Sequence, residues 1–105
     1  MSRISFTEPA AQDLEKIYEY IAEDNIDEAV KHRQRLEKRW LALLDQPRLG
    51  TKRDEIESNL RSVTEGNYVT FYRILPDGIE VARVLHTAQD VKQAFFEPSV
   101  NPSLD

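Results

Sequence analysis

The stretch YVTFYRILPDGIEVARVLH, residues 68–86, limits the possible folds of this chain more than any other. Two runs rich in Val, Ile, Tyr and Phe, residue types that favour β-strands, stand on either side of Pro76-Asp77-Gly78. Proline suits the first corner of a turn, and glycine suits a position that needs positive φ. The stretch is therefore predicted to form an antiparallel β-hairpin.

The length of the hairpin loop decides which side chains share a face. A three-residue loop, 76–78, places Leu75 opposite Ile79, and side chains then alternate between the two faces. In this register one face carries Val69, Phe71, Arg73, Leu75, Ile79, Val81, Arg83 and Leu85. The other face carries Tyr68, Thr70, Tyr72, Glu80, Ala82 and His86. A two-residue loop would shift this pairing and mix the faces.

Two amphipathic helices are predicted before the hairpin. Thr7 is a candidate N-cap for the first, which spans roughly 8–23 and carries an apolar stripe at i, i+3, i+4 and i+7. The stripe consists of Leu14, Ile17, Tyr18 and Ile21. Asp27 is a candidate cap for the second helix, which ends near Asp45. Its inner side is assigned to Ala29, Arg33, Leu36, Trp40 and Leu43. A link of three or four residues makes the pair an antiparallel helical hairpin.

The remaining segments complete the predicted fold. Residues 4–6 and 60–63 are strand candidates, and 48–59 is a polar loop that allows a helical turn at 53–58. Thr87 and Asp90 fit a capping box for a short terminal helix. The order β-α-α-β-β-β predicts an α+β fold with the helical hairpin packed on a small antiparallel sheet. We expect one domain over residues 1–96 and a disordered tail over 97–105.

Composition excludes several kinds of site. The 105 residues include no cysteine, so disulfides and thiolate chemistry are excluded. Because His32 and His86 are far apart and no ligand motif accompanies them, no metal is expected. No apolar run suggests a signal peptide or a membrane span, and a cytoplasmic protein is expected. A net charge of −5 disfavours nonspecific nucleic-acid binding.

Positive charge is concentrated in two places. The run KHRQRLEKR, residues 31–39, is interpreted as a solvated helical face with Glu28 and Glu37 in reach of its cations, or else as a patch for an acidic partner. Three arginines fall one per strand: Arg61, Arg73 and Arg83. They suit recognition of phosphate or carboxylate, or they pair with acids such as Glu55, Glu57, Glu65 and Glu80. His86 is a candidate general acid or base, or a hydrogen-bonded end of its strand.

Several motifs in order resemble the ParE-type toxins of bacterial toxin–antitoxin (plasmid stabilisation) systems, within the RelE/ParE superfamily. The resemblance covers about residues 3–96. It rests on Pro47 and Gly50, Glu55, Leu60-Arg61, Gly66, Tyr68, Phe71-Tyr72-Arg73, Val84-Leu85-His86 and Asp90, and on the opening from Pro9 to Ile21. The resemblance implies a toxin that inhibits DNA gyrase and blocks replication without a metal or cofactor.

The resemblance also implies partners. A ParD-type antitoxin, a ribbon-helix-helix protein whose tail folds on binding, would neutralise the toxin in a hetero-oligomer. The outer face of the helical hairpin would receive the antitoxin's amphipathic helix. The surface facing the target or the antitoxin is assigned to Arg61, Tyr72, Arg73, Arg83, His86, Gln89 and Asp90, without a catalytic role.

Two alternatives remain open. RelE-type relatives cleave mRNA on the ribosome with a cluster of basic residues and a terminal tyrosine or histidine. This chain lacks such a basic cluster after His86, because Thr87, Ala88 and Gln89 follow it. Near its end, Phe95 and Phe96 lack the hydroxyl of a tyrosine. The toxin family often has arginine where Gln89 stands, which leaves a non-toxic antitoxin-binding homologue as the second alternative.

Overall fold

A computed structural model describes residues 2–100 of the chain. In chain order the elements are β1 (Arg3–Phe6), α1 (Glu8–Asp24), α2 (Ile26–Asp45), a 3₁₀ turn (Pro47–Leu49), β2 (Thr51–Lys52), β3 (Leu60–Glu65), β4 (Tyr68–Leu75), β5 (Gly78–His86) and α3 (Val91–Ala94). The α+β class and the predicted order of strand, two helices, three strands and short helix are confirmed. The short strand β2 is an addition to the prediction.

The helical hairpin turns at one residue. The backbone N–H of Asn25 donates to the carbonyl of Ile21 at the end of α1, and its side chain accepts from the N–H of Glu28 in α2. Asn25 therefore caps both helices, as asparagine can. The predicted cap at Asp27 and the longer link are wrong. Thr7 is the N-cap of α1, as predicted, since its hydroxyl accepts from the N–H of Ala10.

The sheet is mixed. Its strand order is β1-β5-β4-β3-β2, and every pair is antiparallel except β1 with β5, which is parallel. Gly78 lies beside Arg3 in that parallel pair, with φ of 153°. A side chain on Gly78 would collide with the carbonyl group of Arg3. The predicted turn glycine therefore also permits the close approach of β1.

The predicted register of the hairpin is wrong. Leu75 pairs with Gly78 and Ile74 with Ile79, so the loop has two residues, Pro76 and Asp77. A β-bulge follows, because Tyr72 pairs with Val81 whereas Phe71 pairs with Arg83. Ala82 is the extra residue on β5, and such a residue reverses the alternation of side chains beyond it.

Both faces of the sheet are covered. On the helical side, Ile79 and Val81 pack with the helices in one cluster: Ala10, Leu14, Ile17, Leu36, Trp40, Leu43, Tyr68, Tyr72 and Val84 complete it. On the opposite side, α3 covers a second cluster of Leu60, Val69, Phe71, Ala82, Leu85, Ala94 and Phe95. The shorter loop therefore moves Ile79 and Val81 to the helical side and moves Glu80 and Ala82 to the opposite side. The bulge keeps Arg83 and Leu85 on the face of Phe71, where they were predicted.

Two details of the helices differ from the prediction. The inner side of α2 holds Ala29, His32, Leu36, Trp40 and Leu43, so His32 is buried where Arg33 was expected. The cap of α3 is Asp90, whose carboxylate accepts from the N–H of Gln93, and Thr87 is wrong as the cap.

The segment after α3 follows the surface of α1. The carbonyl of Ser99 accepts from Nζ of Lys16 at 2.6 Å, and Ser99 is buried. Residues 101–105 lie outside the described part of the chain, so the predicted domain limit at residue 96 stays a prediction.

Candidate functional site

Arg61 and Tyr72 hold the segment that joins α2 to β2. The Tyr72 hydroxyl donates to the carbonyl of Pro47 at 2.6 Å and accepts from the N–H of Gly50 at 3.0 Å. Nη1 of Arg61 donates to the carbonyls of Arg48 and Gly50 at 3.1 and 2.9 Å. Arg61 and Tyr72, which were both assigned to the predicted site, therefore fix a surface segment.

Replacing Tyr72 with phenylalanine is expected to lower the free energy of unfolding by about 1–3 kcal/mol, because a buried N–H and a carbonyl each lose a partner. Urea denaturation followed by circular dichroism measures the change. Tyr20→Phe is the matched control, since Tyr20 is 42% exposed. Equal losses from both variants would contradict a special role for the Tyr72 hydroxyl.

Arg73 is neutralised by two acids. Its guanidinium donates to both carboxylate oxygens of Glu57 at 2.7 and 3.1 Å and to Glu80 at 2.9 Å. The hydrogen bonds from Arg73 hold the pKa of Glu57 below its usual value, and those to Glu57 raise the pKa of Arg73. Arg73 thus ties the loop before β3 to strands β4 and β5. The predicted pairing of this arginine with Glu57 and Glu80 is confirmed.

Arg83 is the most heavily bonded arginine of the described chain. Nε and Nη2 donate to the carboxylate of Asp13 in α1 at 2.8 and 2.9 Å. Nη1 donates to the carbonyls of Ala94, Phe95 and Glu97 at 3.0, 3.0 and 2.5 Å. The side chains of Arg83 and Asp13 are only 5% and 4% exposed. Arg83 therefore joins α1, β5 and the segment after α3.

Asp13 is the ion-pair partner of Arg83 that the sequence interpretation missed. Its carboxylate also accepts from the backbone N–H of Val84 at 3.0 Å. Val84 lies in the part of β5 that extends past the end of β1. A signal was present, because Asp13 lies between Ala10, Leu14 and Ile17 on the apolar stripe of α1. An acid on such a stripe indicates a buried cation nearby.

His86, Gln89 and Asp90 shape the turn after β5. The side-chain oxygen of Gln89 accepts from the N–H of His86 at 2.9 Å, and Nδ1 of His86 accepts from the N–H of Ala88 at 3.0 Å. Asp90 caps α3. All seven residues assigned to the site thus make structural contacts, and their role in binding a target or an antitoxin stays a prediction.

The arginines do not converge. Arg73 is opposite Glu80 and Arg83 is opposite Phe71, so the two lie diagonally on one face, as expected. Their guanidiniums are nevertheless held by different partners: Arg73 by Glu57 and Glu80, and Arg83 by Asp13 and the terminal carbonyls. Arg73 and Arg83 therefore lie on the same face, as predicted, but they form no common anion-binding site.

A row of aromatic rings lies behind His86. Tyr68 packs edge-on against His86 at 5.1 Å and against His32 at 4.9 Å between ring centroids, and His32 packs against Tyr18 at 6.4 Å. Neither ring nitrogen of His32 has a hydrogen-bond partner within the described residues. Burial lowers the pKa of His32, and it raises the pKa of Tyr18 to about 12. Burial therefore favours the neutral forms of His32 and Tyr18.

The free energy of unfolding is expected to fall as the pH is lowered from about 6.5, the ordinary pKa of histidine, towards the lower pKa of folded His32. The unfolded chain binds the proton first, so acid favours unfolding by up to about 1.4 kcal/mol per pH unit. Arg35 adds to the lowering of this pKa, whereas Glu28 and Glu65 oppose it.

Urea denaturation at a series of pH values tests this expectation, with His32→Phe as the comparison. The variant should lose this part of the pH dependence. If the free energy of unfolding depends on pH with the same slope in His32→Phe as in the wild type, the acid sensitivity arises from the carboxylates instead.

The lysine and arginine side chains of the run on α2 are exposed, which fits the interpretation as a solvated face, and the alternative of a patch for an acidic partner stays a prediction. Arg35 pairs with Glu28 at 2.9 Å and Arg33 with Glu37 at 3.6 Å, both between exposed side chains. Nη2 of Arg39 donates to the carbonyl of Thr64 in β3. Exposed pairs of this kind contribute little to stability.

An apolar groove crosses the helical hairpin near its turn. Its lining combines exposed Ile26 and Val30 of α2 with Tyr18 and Ala22 of α1, and Glu19, Ala29 and Arg33 complete it. Ile26 is 71% exposed and Val30 is 43% exposed. Aliphatic side chains this open on a helix pair indicate a surface for another helix.

Residues 2–100 contain neither a candidate metal site nor a candidate membrane-spanning helix. Within that range no cluster of three or more His, Asp or Glu side chains could hold a metal ion. None of the helices in the same range is both long and apolar enough to cross a membrane.

Residues 4–91 match the family model described as the ParE toxin of the type II toxin–antitoxin system parDE. The chain belongs to the ParE toxin family. Among curated proteins, Toxin ParE1 of Mycobacterium tuberculosis, from strains H37Rv and CDC 1551, is 34% identical over 94 residues. The alignment covers 87% of this chain and 96% of that toxin.

A solved structure shares the ParE fold. The chain is similar to one in the chromosomal ParDE system from P. aeruginosa, with a TM-score of 0.66 and 22% identity. The similarity covers 82% of this chain and 96% of the other. The resemblance drawn from the sequence motifs is confirmed, and the chain is a toxin-family member of a type II system.

Proposed function

We propose that this ParE-family chain inhibits DNA gyrase in the cytoplasm by binding it, and that a ParD-type antitoxin neutralises it. The support is family membership together with the contacts of the residues that a ribonuclease would need. Arg83 is buried against Asp13, and Nδ1 of His86 accepts from a backbone N–H. Cleavage of mRNA requires a base, an acid and free cations at one site, and Arg83 is not free because Asp13 pairs with it.

The groove of Tyr18, Ala22, Ile26 and Val30 is the surface that we assign to the antitoxin. An amphipathic helix could bury its apolar face against these side chains, which helix-in-groove recognition requires. Arg33 and Glu19 at the rim would set the orientation of that helix by charge. The toxin would then remain bound in a hetero-oligomer.

Induction of the chain alone in a bacterium is expected to stop growth, and purified chain is expected to block supercoiling of relaxed plasmid by gyrase or to trap cleaved DNA. Growth arrest with unaffected gyrase and with cuts in ribosome-bound mRNA would overturn the gyrase proposal in favour of the ribonuclease. No arrest would favour the non-toxic homologue.

Rescue by a co-expressed ribbon-helix-helix antitoxin tests the groove. Ile26→Asp with Val30→Asp should keep the growth arrest and lose the rescue, because two charges then lie where apolar surface is buried. Leu41→Asp is the matched control, since Leu41 is 58% exposed on the same helix but outside the groove. Rescue of the double variant would refute this assignment.

A further inference from the structure

A second groove opens beyond the C-terminal end of α2. The 3₁₀ turn, β2 and the facing ends of β3 and β4 form it, and its volume is about 810 Å³. The lining residues that matter here are Arg48, Lys52, Arg61, Ile74 and Leu75. Leu49 and Pro47 extend the same surface, since an adjoining depression shares Arg48 and Ile74.

The charge of this groove is unbalanced. Arg48 and Lys52 are exposed, and within residues 2–100 neither forms a salt bridge. Arg61 gives its hydrogen bonds to backbone carbonyls, so no carboxylate neutralises it there. Asp54 is the acid on the lining, and its side chain also accepts from a backbone N–H. The groove is positive although the chain as a whole is negative.

An apolar strip lies beside these cations. Leu49 is 56% exposed and Ile74 is 41% exposed, and both line the depression next to Arg48. Burial of such side chains drives association, whereas the flanking cations favour a partner with acidic side chains. The surface is thus complementary to a segment that alternates acidic and aliphatic side chains.

This surface is separate from the groove on the helical hairpin. The hairpin groove includes Val30 near the start of α2, whereas the second groove begins after Asp45 at its end. A rise of 1.5 Å per residue separates these positions by roughly 20 Å. The two grooves are therefore distinct surfaces.

We infer that the groove of Arg48, Lys52, Arg61 and Ile74 docks an acidic segment of a partner protein that carries aliphatic side chains. A nucleic acid is the less suitable occupant, because single strands bind through aromatic side chains on which bases stack. The lining of this groove contains no aromatic residue. The net charge of −5 also opposes a polyanion at longer range. The inference goes beyond gyrase inhibition and is tested on the isolated chain, so its outcome is independent of toxicity.

The test is a titration of isotope-labelled chain with the capped peptide EDLEEIED, followed by amide resonances. Saturable shifts are expected at residues 48–53, 60–61 and 73–75. Affinity should fall as salt is added, because the exposed cations are screened. The peptide EDSEESED, which keeps the charge and lacks the aliphatic side chains, should bind about tenfold more weakly.

Paired variants separate local charge from overall charge. Arg48→Glu with Lys52→Glu should weaken binding of EDLEEIED by about tenfold or more, with an unchanged spectrum elsewhere. Lys31→Glu with Lys38→Glu makes the same change in net charge on exposed α2 and should bind as the wild type does. Equal weakening by both pairs, shifts confined to α2, no saturable shifts, or tighter binding of oligothymidylate to the groove would each overturn the inference.

Discussion

Arg83→Ala is expected to lower the free energy of unfolding by about 3–5 kcal/mol, or to prevent folding, because it leaves a buried carboxylate without its cation. The Asp13 side chain is 4% exposed, and burial makes an unpaired charge costly. Three terminal carbonyls lose their donor in the same variant. Thermal and urea denaturation measure the loss, and protease digestion should show early cleavage after residue 94.

The control for this variant is Arg33→Ala. Arg33 pairs with Glu37 at 3.6 Å between side chains that are 57% and 54% exposed, so its loss should cost at most about 0.5 kcal/mol. The double variant Asp13→Leu with Arg83→Met should regain part of the lost stability, since no charge is then buried. A loss below about 1 kcal/mol in Arg83→Ala would contradict the buried ion pair.

Gly78→Ala is expected to cost about 3 kcal/mol or more and to displace β1 from the sheet. Gly78 has φ of 153°, which side chains rarely tolerate, and a Cβ atom there would collide with the backbone of Arg3. Denaturation gives the change in stability. Hydrogen exchange should become faster at the N–H of Thr7, which donates to the carbonyl of Val81 at 3.0 Å.

Gly66→Ala is the control that isolates strain from collision. Gly66 has φ of 59°, but no heavy atom lies within 4 Å of the added methyl group. Only the cost of the left-handed conformation remains, about 1–2 kcal/mol. If Gly66→Ala destabilises the protein as much as Gly78→Ala, close packing of β1 on β5 is not the cause.

Local patterns predicted the elements of this fold well, because each element is specified by neighbouring residues. The stripe of Leu14, Ile17 and Ile21 and the cap at Thr7 placed α1 within one residue of its end. The turn at Pro76-Asp77 was found for the same reason. The cap at Asn25 was missed, because Asp27 is an equally good capping residue by type.

Features that depend on distant residues were not predictable in the same way. The two-residue loop moves Ile79 and Val81 to the helical side, and the bulge at Ala82, which has no sequence signature of its own, keeps Leu85 on the opposite side. The pairing of Arg83 with Asp13 spans 70 residues. Charge and spacing marked Arg83 as unusual, but only the tertiary structure shows that its donors are satisfied internally.

The parallel pairing of the first strand with the last sets the order in which this protein can mature. The Thr7 hydroxyl donates to the carbonyl of Ala82, and Asp13 pairs with Arg83. Both of these partners lie on β5, 70 residues or more further along the chain. At about 5–20 residues per second, a ribosome needs roughly 4 to 14 s to synthesise that interval. During that time β1 is an unpaired edge and Asp13 a carboxylate without its arginine. A partner that recognises the folded chain therefore meets only molecules whose last strand has already been made.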